Sequence, residues 1–155
     1  MSMNRREVLK VGGGAAVYSA LASMGFFAAN PAMAAWNKDA FATKTIAETL
    51  KVLGVSGTAN SADISITAPD IAENGAVVPV GVASKIANTD MIAVMIEKNP
   101  AMMAGMYNFM AGAEADISMR CKMGQSTDVY ALVKAGGKYY MTKKEIKVTL
   151  GGCGG

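Results

Sequence analysis

The sequence predicts an all-β chain: an immunoglobulin-like antiparallel β-sandwich preceded by one N-terminal helix. Three observations carry this. Beyond Gly54 the chain breaks into short runs that alternate apolar and polar residues, the period of a half-buried strand. Turn residues punctuate those runs, as at Asn74-Gly75, Asn99-Pro100 and Gly136-Gly137. Before Gly54 only one stretch has convincing helical spacing. No Cys…Trp…Cys spacing is present, so the sandwich is not of the antibody type.

The first residues are read as a targeting segment and set aside before the fold. Arg5 and Arg6 precede a small-residue apolar run from Val11 to Ala29, and Ala32-Met33-Ala34 forms an A-x-A cleavage pattern. The pattern is that of a cleavable export signal over residues 1–34, of twin-arginine type. Asn4 and Val8 depart from the usual residues of that signal, which bears on the route more than on export. The competing reading is a membrane anchor, against which stand the cleavage pattern and Gly12-Gly13-Gly14 within the apolar run. The remaining divisions are a sandwich domain over residues 35–150 and a flexible arm over residues 151–155.

Loss of Arg5, Arg6, Lys10 and Glu7 takes the basic count from 15 to 12 and the acidic count from 12 to 11, so the net charge falls from +3 to +1. A near-neutral domain offers no footprint for nucleic acid. The chain contains no histidine, which removes Ser-His-Asp and Cys-His catalysis and every imidazole-ligated metal. Two cysteines are too few for a thiolate zinc site, so no metal and no cofactor is expected. A single Cys121–Cys153 disulfide is open to an exported protein.

Taken in order, Trp36 to Leu53 is the helix, with Phe41, Ile46, Leu50 and Leu53 on one side, Lys44, Glu48 and Lys51 on the other, and Gly54 as its stop. Ala62 to Thr67 alternates as a strand. Pro69 to Gly75 is a loop, and Val77 to Ala83 a strand in which Pro79 points to an edge or a bulge. Asp90 to Glu97 is an apolar strand. Ala101 to Gly112 is open between a helix, from Met102, Met106 and Met110 at i, i+4 spacing, and a strand around Met106 to Phe109.

Ala115 to Met123 gives the clearest alternation. Ile117, Met119, Cys121 and Met123 share one face, and Asp116, Ser118, Arg120 and Lys122 the other. Cys121 is therefore expected among core residues as an inert thiol, and a bond to Cys153 would draw in the end of the chain. Val129 to Lys134 and the stretch from Tyr139 form a hairpin across Gly136-Gly137. In its second arm Ile146, Val148 and Leu150 face inward, with Lys147 and Thr149 outward.

The last five residues are Gly151, Gly152, Cys153, Gly154 and Gly155. Glycine pairs on both sides of a thiol make a tether rather than a structural element. Five residues span at most about 17 Å, enough to carry a sulfur into another protein's cleft. The plain alternative is a frayed terminus without a role. Eight methionines lie between Met91 and Met123; they fill the core or, on the rival reading, bind Cu(I) through soft sulfur.

Three stretches together resemble the SoxY family: the GGCGG terminus after Lys147-Val148-Thr149-Leu150, the segment Ala68 to Val80, and Val133 to Lys138. The resemblance implies a periplasmic carrier subunit of the bacterial Sox thiosulfate-oxidation system, of immunoglobulin-like fold and not itself an enzyme. It implies Cys153 as the thiol that holds thiosulfate-derived intermediates, with Gly151, Gly152, Gly154 and Gly155 as its swinging arm. Expected partners are a SoxZ-like subunit as heterodimer and, transiently, a haem-containing cytochrome, a sulfate-releasing hydrolase and a sulfur dehydrogenase. No stable membrane anchor is expected. The alternatives are an exported interaction module dimerised by a Cys153 disulfide and a Met-rich Cu(I)-handling protein.

Overall fold

The computed structural model describes residues 37–149. Two sheets face each other across an aliphatic core. Strands β1 (Ile64–Thr67), β3 (Val78–Ser84) and β6 (Asp116–Cys121) form one, in the order β1-β3-β6. Strands β2 (Ile71–Ala72), β4 (Thr89–Ile96), β5 (Met103–Asn108), β7 (Thr127–Ala135) and β8 (Lys138–Val148) form the other, in the order β2-β8-β7-β4-β5. Val78, Val80, Val82, Ile92, Val94, Ile96, Val129 and Ile146 are fully or almost fully buried between them. β-Branched side chains dominate because they suit a pleated surface covered on its inner face.

The helix expected over Trp36–Leu53 is two helices over its described part: α1 (Lys38–Ala42) and α2 (Ile46–Val52). Each has its own cap. The Asn37 side chain accepts from the Ala40 N–H at 3.1 Å, and the Thr45 hydroxyl accepts from the Glu48 N–H at 3.2 Å. Glu48 in turn accepts from the Lys44 N–H at 2.9 Å, so Thr45-x-x-Glu48 works as a capping box displaced by one residue. Thr43 joins the two helices, its hydroxyl 2.7 Å from that of buried Thr49. The expected apolar face survives the break: Phe41, Ile46, Leu50 and Leu53 pack on the outer face of the larger sheet.

That outer face explains the unbroken apolar run of β4. Ile92, Val94 and Ile96 enter the sandwich, while Met91, Ala93 and Met95 lie under the helices. A strand covered on both faces loses its alternation. Met102 and Met103 join the helix-facing layer, where an unbranched thioether fills the irregular space between helices and sheet. The open choice over residues 101–112 resolves as a strand, β5.

Two further expectations are corrected. Pro69–Gly75 is not all loop, since Ile71 and Ala72 form β2 and pair in parallel with Lys147 and Val148. The sandwich is consequently mixed, with every other strand pair antiparallel. Pro79 sits in a central strand, but at a local edge. The Ser84 N–H donates to the Ala115 carbonyl at 2.9 Å, so by alternation Val78, Val80 and Val82 bond β6 while Pro79 faces away. On that side β1 ends its pairing at Gly81, and the missing N–H of Pro79 costs nothing.

Candidate functional site

The C-terminal strand β8 is the last described element before the site residues expected from sequence. The β7–β8 turn sets its register: Gly136 and Gly137 have φ of 55° and 75°, the left-handed pair a two-residue hairpin demands. From there β8 pairs with β7 along its length, Ala135 opposite Lys138 and Thr127 opposite Ile146. Ile146 is fully buried, Val148 half-buried, and Lys147 and Thr149 exposed, the alternation expected. Leu150, the arm Gly151–Gly155 with Cys153, and the export signal with Arg5 and Arg6 lie outside the described residues.

The end of β8 is held from several directions. The Lys147 N–H donates to the Asp70 carbonyl at 2.9 Å, and the Thr149 N–H to the Ala72 carbonyl at 3.1 Å. Between them the Val148 N–H donates to the Ser126 hydroxyl at 2.9 Å. Lys144 donates to the Ala68 carbonyl at 2.6 Å and pairs with the Asp70 carboxylate at 3.0 Å. The loop after β2 is tied in as well, the Met123 N–H donating to the buried Gly75 carbonyl at 2.7 Å. Consecutive backbone donors of β8 are thus satisfied up to the last described residue.

Two of the three stretches that carried the resemblance meet here. Ala68–Val80 supplies β2 and the following loop, and Lys147–Thr149 is the strand end that β2 holds. Val133–Lys138 forms the turn at the far end of β8, about 33 Å away at the rise of a strand. The holding residues Asp70, Ala72 and Ser126 had no sequence signal as anchors. A two-residue strand is too short for periodicity, and Ser126 acts through one hydroxyl.

Cys121 is at the same end of the sandwich, opposite Val78. It is a free thiol, 5% exposed, within the aliphatic core. Burial raises its pKa above the ordinary thiol value, because the thiolate loses solvation it cannot regain from apolar neighbours. It is protonated and unreactive at neutral pH. Of the methionine group, Met91, Met95, Met102, Met103 and Met123 are buried, as the core-filling reading expects, whereas Met110 is 87% exposed.

Among the described residues no cluster of carboxylates and thiols has metal-binding geometry. An open cleft of about 610 Å³ lies at the opposite end, lined by residues of the stretches 84–90 and 109–115 and by Gly136. It is remote from the end of β8 and brings no nucleophile and base together. No helix among the described residues is long and apolar enough to cross a membrane.

A family model for "Sulfur oxidation protein SoxY" matches residues 50–153, from within α2 through the tail cysteine. Among solved structures, the sulfur carrier protein SoxY from Chlorobium limicola f. thiosulfatophilum is 32% identical, with a TM-score of 0.64 over 68% of this chain and 97% of that one. A superoxide reductase (neelaredoxin) from Ignicoccus hospitalis is 26% identical, with a TM-score of 0.50 over 56% of this chain and 80% of that one. A single-substitution variant of that reductase gives 25% identity and a TM-score of 0.51, over 59% of this chain and 83% of that one. No curated protein sequence matches.

Proposed function

The chain belongs to the SoxY family of sulfur-oxidation proteins, and we propose that it carries its cargo covalently on Cys153, within the glycine arm over residues 151–155. The observation that carries this reading is positional. The family match runs through residue 153, and the last described backbone donor, that of Thr149, is bonded to Ala72. Cys153 is the fourth residue beyond that fixed point, a reach of about 14 Å. The arm starts from a rigid strand, and its glycines carry no side chains to obstruct entry into a narrow site.

On this reading the protein supplies position, and its partners supply chemistry. No base lies within the arm, and a free thiol is mostly protonated at neutral pH. Joining Cys153 to thiosulfate forms a sulfur–sulfur bond, releases the thiol proton and passes two electrons to a haem-containing partner. Water then cleaves the terminal sulfone as sulfate at a hydrolase, leaving a persulfide on Cys153 for a sulfur dehydrogenase. A SoxZ-like subunit completes the carrier, and export directed by Arg5 and Arg6 delivers it to the periplasm. Cys121 does not compete, being buried and protonated.

The test is intact mass of protein purified without reductant and exposed to thiosulfate with its oxidising partner. The expected result is a thiosulfate-derived adduct on the C-terminal peptide, absent from Cys153→Ser, with unchanged thermal unfolding. Adduct on Cys121, or full turnover by Cys153→Ser, would falsify the carrier assignment.

A further inference from the structure

We propose that the ties on the end of β8 are a length stop: Asp70, Ala72 and Ser126 hold the chain as far as Thr149 and so limit how deep Cys153 can enter a partner's site. The proposal rests on Cys153 as the cargo-bearing thiol and concerns what sets its reach. Pairing of β8 with β7 ends at Thr127 opposite Ile146, and Ile146 is the one buried residue of β8. Beyond it only Val148 packs on the core, half-buried. The hairpin therefore does not require order past Ile146. Yet the next three N–H groups all have acceptors: the Asp70 carbonyl for Lys147 at 2.9 Å, the Ser126 hydroxyl for Val148 at 2.9 Å, and the Ala72 carbonyl for Thr149 at 3.1 Å. The Thr149 hydroxyl adds longer contacts to the Ala72 and Glu73 carbonyls, at 3.5 and 3.4 Å.

Strand β2 does little else. It is two residues long, lies at the edge of its sheet and pairs with β8 alone. Ile71 is 57% exposed, so Ala72 is its one buried side chain, and so small a burial adds little stability. The carbonyls on either side of Ile71 both go to the end of β8, and the Asp70 carboxylate holds Lys144 at 3.0 Å. With the last tie at Thr149, Cys153 is four residues out, an upper limit of about 14 Å. With the ties on Val148 and Thr149 removed, the count starts at Lys147, six residues from the thiol, and the limit becomes about 20 Å. A tether longer by that ratio lowers the thiol's effective concentration at a site already in reach by only about twofold. One residue too few, by contrast, removes access to a site at the limit. A fixed origin close to the thiol is thus a setting of depth.

The test is the rate of loading of Cys153 in the exported protein with its partner subunit, thiosulfate and the haem-containing oxidant, read by intact mass. Four forms are compared: the parent, a deletion of Gly151, the untied pair Ser126→Ala with Thr149→Pro, and the deletion combined with the untied pair. Thr149→Pro removes both the N–H and the hydroxyl that reach Ala72, and proline suits an extended strand end. Deleting Gly151 should slow loading roughly tenfold or more, because the arm no longer spans. Untying alone should slow it about twofold, and untying the deletion form should restore it to within about threefold of the parent. Ser126→Ala alone should restore it in part. A merely structural role predicts two losses that multiply, whereas a length stop predicts that the second change reverses the first. The effect should fall on the rate at saturating oxidant and not on the oxidant concentration at half-saturation. Alkylation of Cys153 by iodoacetamide should be equal in all four. A deletion form that loads like the parent, or an untied deletion form as slow as the deletion alone, would overturn the length stop. Absence of adduct on Cys153 in the parent would instead overturn the carrier reading beneath it.

Discussion

The two ends of β8 are built on opposite terms. At Lys138 the strand emerges from a two-glycine turn with open space around both glycines, beside the cleft lined by residues 85–90 and 109–115. At Val148 it is held by β2 and by Ser126, two residues past its last pairing with β7 at Ile146. The turn end needs only a backbone conformation; the other end needs specific partners. The difference shows where position matters to this fold: the end of β8 is fixed by more bonds than hairpin pairing requires, and the proposed arm begins there.

That contrast can be broken by substitution. The largest stability loss is expected from Ile146→Ala, which empties a fully buried site two residues before Val148; about 2–5 kcal/mol should be lost in urea unfolding. Gly137→Val tests the other end. With φ at 75° and no atom within 4 Å of an added Cβ, its cost is conformational alone, about 1–2 kcal/mol, and sulfur loading should be unaffected. Ser126→Ala should cost about 1 kcal/mol by stranding the Val148 N–H. Its sharper effect should be faster hydrogen exchange at Lys147–Thr149 than at Lys138–Tyr140; equal acceleration at both ends would show that the clamp is not local.

The smallest effect is a pH dependence. Burial raises the folded pKa of Cys121, so above the unfolded thiol's pKa of about 8.5 the unfolded chain releases a proton that the folded chain keeps. Stability should therefore decline as pH rises from there toward the folded pKa, with no contribution below it. Unfolding curves at neutral and alkaline pH should show a smaller decline for Cys121→Ala than for the parent. Identical declines would mean that the thiol is solvated in the native state.

Much of this was legible in the residues. Alternation placed β1, β3, β6, β7 and β8, and the placement of Cys121 in the core followed from parity alone. Gly136-Gly137 located its hairpin because only left-handed residues make that turn. The split helix was legible in principle, since Asn37 and Thr45-x-x-Glu48 are capping signals, but apolar spacing continues across Thr43 and hides the break. β5 stayed ambiguous because its methionines suit helical spacing as well as a strand with one covered face. β2 was not legible: two residues have no period, and their pairing with β8 depends on a contact more than seventy positions away.

The parallel pairing of β2 with the end of β8 also has a mechanical consequence. A tension applied to the chain beyond Thr149 runs along the strand axis, whereas the hydrogen bonds to β2 and β7 lie across it. Such a load shears many bonds at once instead of unzipping them singly. On the proposed carrier reading, such a load is what an arm leaving a partner's site places on β8, and the strand behind it is built to stay seated.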